Sequence, residues 1–171
     1  MPIFTRWSDS ALAPADLFAF AAQQAADARR RYKRLADAAR KRADHELAEL
    51  FETLGQRKPP EIAPSNGDAE RVQRLLPLAL AYPATEDGMH SALLTPYRAL
   101  ALAVQEAQQS FAAYAQIAAL AQPSAVRQQA ENLARKELAR AAALRGARRR
   151  AYHAERPSAL PLLPHWRNCA H

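Results

Sequence analysis

Apolar side chains recur at spacings of three and four over two stretches of the first half of the chain. This spacing places them on one face of a helix. The first predicted face consists of Leu17, Phe20, Ala21, Gln24, Ala28, Tyr32, Leu35, Ala36 and Ala39, and the opposite positions hold Arg29, Arg30, Lys33, Arg34 and Lys41. After Asp44, a predicted helix cap, a second stripe comprises Leu47, Leu50, Phe51 and Leu54. Pro59 and Pro60 then close this shorter helix, since a proline cannot donate a backbone hydrogen bond.

The second half repeats this design. Pro96 opens a third periodic segment, whose face is predicted to contain Leu100, Val104, Ala107, Phe111, Tyr114, Ile117 and Ala118. Pro123 ends it, and a fourth segment follows with Val126, Ala130, Leu133, Glu137, Leu138, Ala141 and Leu144. The sequence therefore predicts two helical hairpins, each with a short connection.

The predicted boundaries give an all-α, ferritin-like four-helix bundle. An N-terminal arm covers residues 1–14, and the bundle covers residues 15–153. Its helices are predicted at about 15–42, 44–58, 97–122 and 124–153, with a crossover loop over 59–96 and a Pro-rich tail over 154–171. The stretch from Asp68 to Leu76 is predicted to form a short helix inside the crossover. One long crossover between two hairpins is the connectivity of ferritin-like bundles.

Composition adds bounds on location and partners. The 171 residues carry a formal charge of +7, but the basic residues are interleaved with acids, which favours a solvated surface. Cys169 is the single cysteine, so no intrachain disulfide can form. The first residues lack a basic region followed by an apolar core, and no run of eighteen apolar residues occurs. These features predict a cytoplasmic protein with no membrane span.

Two stretches of the chain, residues 20–55 and 99–156, resemble the rubrerythrin-like branch of the ferritin-like superfamily. The first begins FAAQQAADARRRYKRLADAARK, and the second contains QEAQQSFAAYAQIAAL followed by NLARKELARAAALRGARRR. In that family each hairpin supplies a Glu seven residues before a Tyr and then a Glu-x-x-His motif. The resemblance therefore implies helices whose carboxylates and imidazoles point inward to hold two iron ions.

At the implied ligand positions this sequence differs from the family. Seven residues before Tyr32 is Ala25, and seven before Tyr114 is Ala107, with Glu106 one position away. The fourth helix reads Glu137-Leu-Ala-Arg140, so the glutamate remains and the histidine is replaced by arginine. The aligned position at the end of the second helix reads Lys58-Pro-Pro-Glu61, so lysine replaces the carboxylate there. Glu137 is the remaining family ligand, and no complete catalytic or cofactor site is predicted.

A buried carboxylate without a metal needs a partner of opposite charge. We therefore expect Glu137 to form an ion pair with Arg140, or with Lys58 from the facing hairpin, in a group that also includes Glu61. The alternative is that Glu137 faces solvent. Glu106 and His45 are weak candidates for an atypical metal site, together with Asp87 and His90 of the crossover.

These observations predict a non-catalytic bundle that has lost a di-iron site, needs no cofactor and acts as a protein-binding or accessory subunit. Its partner would be another protein or a second copy of the chain in a homodimer. One alternative is a ferritin-like oxidase or peroxidase that uses iron at an atypical site. A second alternative is a basic helical protein that binds nucleic acid or other anions through the run Arg148–Arg150. Nucleic acid is the less favoured partner, because no aromatic residues interleave with this run in the sequence.

Overall fold

A computed structural model describes residues 12–56, 67–77, 94–121 and 124–155, and all regular structure in these ranges is helical. The helices are α1 (Pro14–Lys41), α2 (His45–Gly55), α3 (Ala69–Leu75), α4 (Pro96–Leu120) and α5 (Ser124–Glu155). The predicted all-α class is therefore confirmed. None of these helices is long and apolar enough to cross a membrane. Most of the predicted arm 1–14 and crossover 59–96, and the tail from 156 onward, lie outside the described residues.

Local side-chain chemistry fixes where α1 and α2 begin. Pro14 is the first residue of α1, where its missing N–H costs no hydrogen bond. The Asp16 carboxylate accepts a hydrogen bond of 3.0 Å from the backbone N–H of Ala13, which would otherwise be unpaired. Asp44 caps α2, because its Oδ1 accepts from the N–H of Leu47 at 3.1 Å.

The second helix is shorter than the sequence predicts. It ends at Gly55 rather than at residue 58, several residues before the Pro59-Pro60 pair. A Cβ added to Gly55 would lie 3.3 Å from the Cβ of Tyr32, so the last turn of α2 packs closely on α1. The absence of a side chain at this position allows the close approach.

The described helices bury two apolar clusters. The first joins side chains of α1, α3, α4 and α5 with the segments beside them: Leu12, Leu17, Phe20, Ala21, Val72, Leu76, Ala113, Tyr114, Ile117, Ala121, Val126, Ala130 and Ala134. The second joins α1, α2 and α4: Ala28, Tyr32, Leu35, Ala36, Ala39, Leu47, Ala48, Phe51, Leu54, Ala99, Leu100 and Ala103. Alanines form much of both clusters, and small side chains allow helix axes to approach closely.

The prediction that Leu138 belongs to the inward stripe of α5 is wrong. Its side chain is 49% exposed, the most exposed large apolar side chain of the described residues. The buried line of this helix instead runs through Ala130, Ala134, Glu137 and Ala141, at spacings of three and four. Leu138 follows Glu137 directly and is therefore rotated by about 100° from it around the helix.

Helix α3 is attached to the first turn of α1 through Asp16. The Oδ1 of Asp16 accepts from the N–H of Asp68 at 2.9 Å, and Arg71 Nη1 lies 3.4 Å from Oδ2. Burial raises the pKa of Asp16, but hydrogen bonds from these two residues and from Ala13 outweigh it and hold the pKa below its usual value. A Cβ on Gly67 would lie 2.1 Å from the carbonyl oxygen of Ala15, so only glycine fits there.

Candidate functional site

The most distinctive polar contact in the described residues joins α1 to α4. The Tyr32 hydroxyl donates a hydrogen bond of 2.6 Å to Oε2 of Glu106. Tyr32 is fully buried, and its ring stacks on that of Phe51 at a centroid distance of 6.2 Å. The ring contact with Phe51 holds the Tyr32 side chain in place, so that its hydroxyl meets the Glu106 carboxylate where α1 and α4 approach each other.

A guanidinium group balances the charge of Glu106. Arg31 Nη2 lies 3.3 Å from Oε1 of Glu106, and the two side chains are 21% and 13% exposed. Because Arg31 and Tyr32 are consecutive in α1, both carboxylate oxygens of Glu106 are engaged from one helix. Charge-assisted hydrogen bonds of this kind are stronger than those between neutral groups.

The surroundings of Tyr32 keep its phenol protonated. Burial raises its pKa well above the usual value of 10, and the negative charge of Glu106 and the hydrogen bond to that carboxylate raise it further. The positive charges of Arg140 and Arg31 act in the opposite direction and do not reverse the shift. Tyr32 is thus a hydrogen-bond donor throughout the neutral pH range.

A second ion pair comes from α5. Glu137 is buried, with 7% of its surface exposed, and its Oε2 lies 3.5 Å from Nη1 of Arg140. The two residues are one helical turn apart, so they share a face of α5. The positive charge of Arg140 also acts to lower the pKa of Tyr32, which relates this pair electrostatically to the Tyr32–Glu106 contact. We call Arg31, Tyr32, Glu106, Glu137 and Arg140 the interior network.

The other residues singled out in the sequence are placed differently. His45 is the exposed first residue of α2 and does not join Glu106 and Glu137. Across the described parts of the chain, no three His, Cys, Asp or Glu side chains come together in a group that could hold a metal ion. Lys58, Glu61, Asp87 and His90 lie outside the described residues.

Alanines occupy the positions where the family resemblance implies carboxylate ligands. Ala25 of α1 and Ala107 of α4 are 3% and 0% exposed, so both face the packed interior. A methyl group offers no metal ligand. Glu106, one position from Ala107, faces α1 instead and meets Tyr32 and Arg31 there.

No match is found when the chain is compared with models of protein families, with curated proteins or with solved structures. The rubrerythrin-like assignment therefore stays a prediction from the quoted motifs.

The interior network is balanced in charge. Its two carboxylates face two guanidinium groups, and the protonated phenol adds a neutral donor. Both carboxylates are therefore engaged by groups of the protein itself. Such a network stabilises the packing of α1, α4 and α5, whereas a general base or metal ligand needs a carboxylate that is open to substrate or metal.

The sequence alone does not reveal that Arg31 and Tyr32 both contact Glu106. The sequence predicts Tyr32 on the apolar face of the first helix, but it does not identify Glu106, 74 positions away, as the partner of the hydroxyl. The signal that could have found the pair is the single carboxylate of α4, because Glu106 is the only acid in that helix. A lone acid that is buried on such a helix needs a partner from a neighbouring helix.

Proposed function

We propose that this chain is a non-catalytic, ferritin-like four-helix bundle that acts as a protein-binding or accessory subunit, with an ionic network in place of a di-iron centre. The observation that carries the proposal is the engagement of both interior carboxylates by arginine and tyrosine side chains.

Electrostatics supports this proposal. A di-iron centre needs several carboxylates that are ionised and open to the metal. In the interior network, a divalent ion would have to displace hydrogen bonds from Arg31, Tyr32 and Arg140. It would also lie near two guanidinium charges, which repel a cation.

The helix order supports the ferritin-like part of the proposal. The connections between α1 and α2 and between α4 and α5 are three residues each, and short connections favour antiparallel neighbours. A much longer segment, 56–95, separates the two pairs and contains α3. In the proposed bundle this segment is the crossover.

The outer face of α5 supports the protein-binding part. Leu138 is 49% exposed and is flanked on the helix surface by exposed Ala139 and Ala142. In the proposed function this leucine would lie at the contact with another protein or a second copy of the chain. We expect L138E to abolish any dimer detected by light scattering coupled to size-exclusion chromatography.

The decisive experiment is the metal content of the chain after anaerobic loading with ferrous iron, measured by mass spectrometry. We expect iron at background level. Uptake of about two irons per chain, with oxygen-dependent absorbance, would refute the proposal and favour the oxidase alternative.

The variant Arg140→His provides a matched control, because it completes the Glu-x-x-His spacing with Glu137 and removes one guanidinium. If the arginine is what excludes metal, cobalt or iron binding should be measurable in this variant and not in the parent chain. Equal metal binding by both proteins would contradict the role given to Arg140.

A further inference from the structure

A second cluster of arginine and tyrosine lies on the surface, where the end of α5 meets the start of α4. Arg148 Nη2 donates a hydrogen bond of 2.7 Å to the Tyr97 hydroxyl, and its guanidinium carbon lies 4.8 Å from the Tyr97 ring centroid. The rings of Tyr97 and Tyr152 are 5.5 Å apart and tilted by 50°. Glu155 accepts from the N–H of Tyr97 at 2.6 Å, which fixes the two helix ends together.

The cations beside these rings are exposed. Arg145, Arg149 and Tyr152 follow each other at spacings of four and three, so they form one stripe on the surface of α5. Tyr152 is 38% exposed, and Arg145, Arg149 and Arg150 are exposed as well. Within the described residues, no ion pair is found for these three arginines. We call Tyr97, Arg145, Arg148, Arg149, Arg150 and Tyr152 the terminal surface.

The helix dipole does not explain this arrangement. Positive side chains in the last turn of a helix are stabilised by the partial negative charge there, and the basic residue of that turn is His153. The arginines precede the last turn, and the dipole gives no reason for the two tyrosine rings held beside them. The sequence alone shows no aromatic residues within the run Arg148–Arg150, and the fold supplies them from Tyr97 and from Tyr152.

We propose that the terminal surface binds single-stranded nucleic acid. Proteins that bind single strands combine cations that pair with phosphates and aromatic rings on which bases stack. Here the exposed arginines would pair with successive phosphates, and the Tyr152 ring would stack against a base. Arg148 lies over the Tyr97 ring and holds the aromatic pair in place.

Other anionic partners fit the surface less well. The described residues expose only Leu138 and Tyr152 among large apolar side chains, which is too little to insert into a lipid surface. An acidic peptide would pair with the arginines but would make no use of the two neighbouring tyrosine rings. The aromatic pair therefore favours a partner with flat rings of its own.

The test is binding of the full chain to a fluorescein-labelled oligothymidylate of about 20 nucleotides, followed by fluorescence anisotropy over a range of salt concentrations. We expect affinity to fall steeply with salt, because phosphate pairing releases counterions. The double variant R149Q/R150Q should weaken binding at least about tenfold and reduce the salt slope by about 1.4.

The matched control is R135Q/K136Q, which removes the same charge from exposed positions of the same helix. It should change affinity by less than about threefold, since it lies outside the terminal surface. Equal losses in the two double variants would refute the proposal, because they would show attraction by net charge alone. Circular dichroism of each variant verifies that the helices are intact.

Stacking is tested by Tyr152→Leu and Tyr152→Phe. The leucine variant should bind about tenfold more weakly, whereas the phenylalanine variant should bind like the parent chain, because it keeps the ring. Two further results would refute the proposal: identical affinities of both Tyr152 variants, or tighter binding of poly-glutamate or of anionic phospholipid vesicles than of the oligonucleotide. Iron uptake by the interior network would leave this proposal unaffected, so the two proposals fail independently.

Discussion

Tyr32 and Tyr152 both meet arginine side chains, but in opposite surroundings. Tyr32 is enclosed by α1, α2 and α4, and the carboxylates around it match the guanidinium groups in number. Tyr152 is exposed beside a run of arginines with far fewer acids. The same two residue types thus stabilise the fold where their charges are balanced in the interior, and form the proposed binding surface where they are exposed and cationic.

The two regions should differ most in the stability that is lost when the tyrosine ring of each is removed. Tyr32→Ala deletes a fully buried side chain that stacks on Phe51 and should lower the free energy of unfolding by about 3–5 kcal/mol. Tyr152→Ala, at an exposed position, should cost less than about 1 kcal/mol. Urea denaturation followed by circular dichroism measures both. Similar losses in the two variants would contradict the comparison.

Removing one arginine from each region should give a smaller difference in stability between the two variants. Arg140→Met leaves the buried Glu137 without its cation and should destabilise the fold by about 1–3 kcal/mol, less than for a fully enclosed pair because Arg140 is 22% exposed. Arg149→Met should leave thermal stability unchanged within error. The double variant E137M/R140M should recover most of the loss, because it removes both charges together. A double variant less stable than Arg140→Met would show that the pair is not the cause.

Removing a single tyrosine hydroxyl from each region should give a still smaller difference in stability. Tyr32→Phe takes a donor from Glu106 and should cost about 1–2 kcal/mol, as expected for a hydrogen bond to a charged acceptor. Tyr97→Phe removes the acceptor of Arg148 at a partly exposed position and should cost less. Denaturation curves of the two variants, recorded under the same conditions, decide the order of the effects.

The smallest expected effect is a loss of folding stability at alkaline pH. Because the pKa of Tyr32 is raised in the fold, unfolded chains lose its proton first, at the usual value near 10. The stability contributed by Tyr32 is therefore complete below pH 10 and declines as the pH rises above it. At pH 10.5 the free energy of unfolding should be lower by about 0.8 kcal/mol than at neutral pH. Tyr32→Phe should show a correspondingly shallower decline than the parent chain, and an unchanged decline would argue against the raised pKa.

Periodicity in the sequence predicts helix faces well where apolar residues are dense. In α1 the predicted inward residues Leu17, Phe20, Tyr32 and Ala36 are all buried. The same reasoning fails at Leu138. The adjacent residue Glu137 is buried instead, and Leu138 faces outward. The inward line of α5 is mostly alanine, so the apolar contrast between faces that reveals rotation is weak.

The polar contacts were harder to predict because they depend on how helices are placed against each other. The Tyr32–Glu106 bond requires the right rotation and register of α1 and α4, and the single acid of α4 indicates neither of these. The meeting of Tyr97 with Arg148 was within reach. A three-residue connection forces α4 and α5 to run antiparallel, which brings the start of one beside the end of the other.

The close approach at Gly67 has a consequence for local opening of the chain. A seven-residue helix such as α3 does not persist in water by itself. Its attachment through Gly67 and the Asp16–Asp68 hydrogen bond means that α3 and the first turn of α1 should open together as one cooperative unit. The Asp68 amide proton should thus exchange with solvent at the rate at which this unit opens, more slowly than its exposed position suggests, and G67A should increase the opening of both segments together.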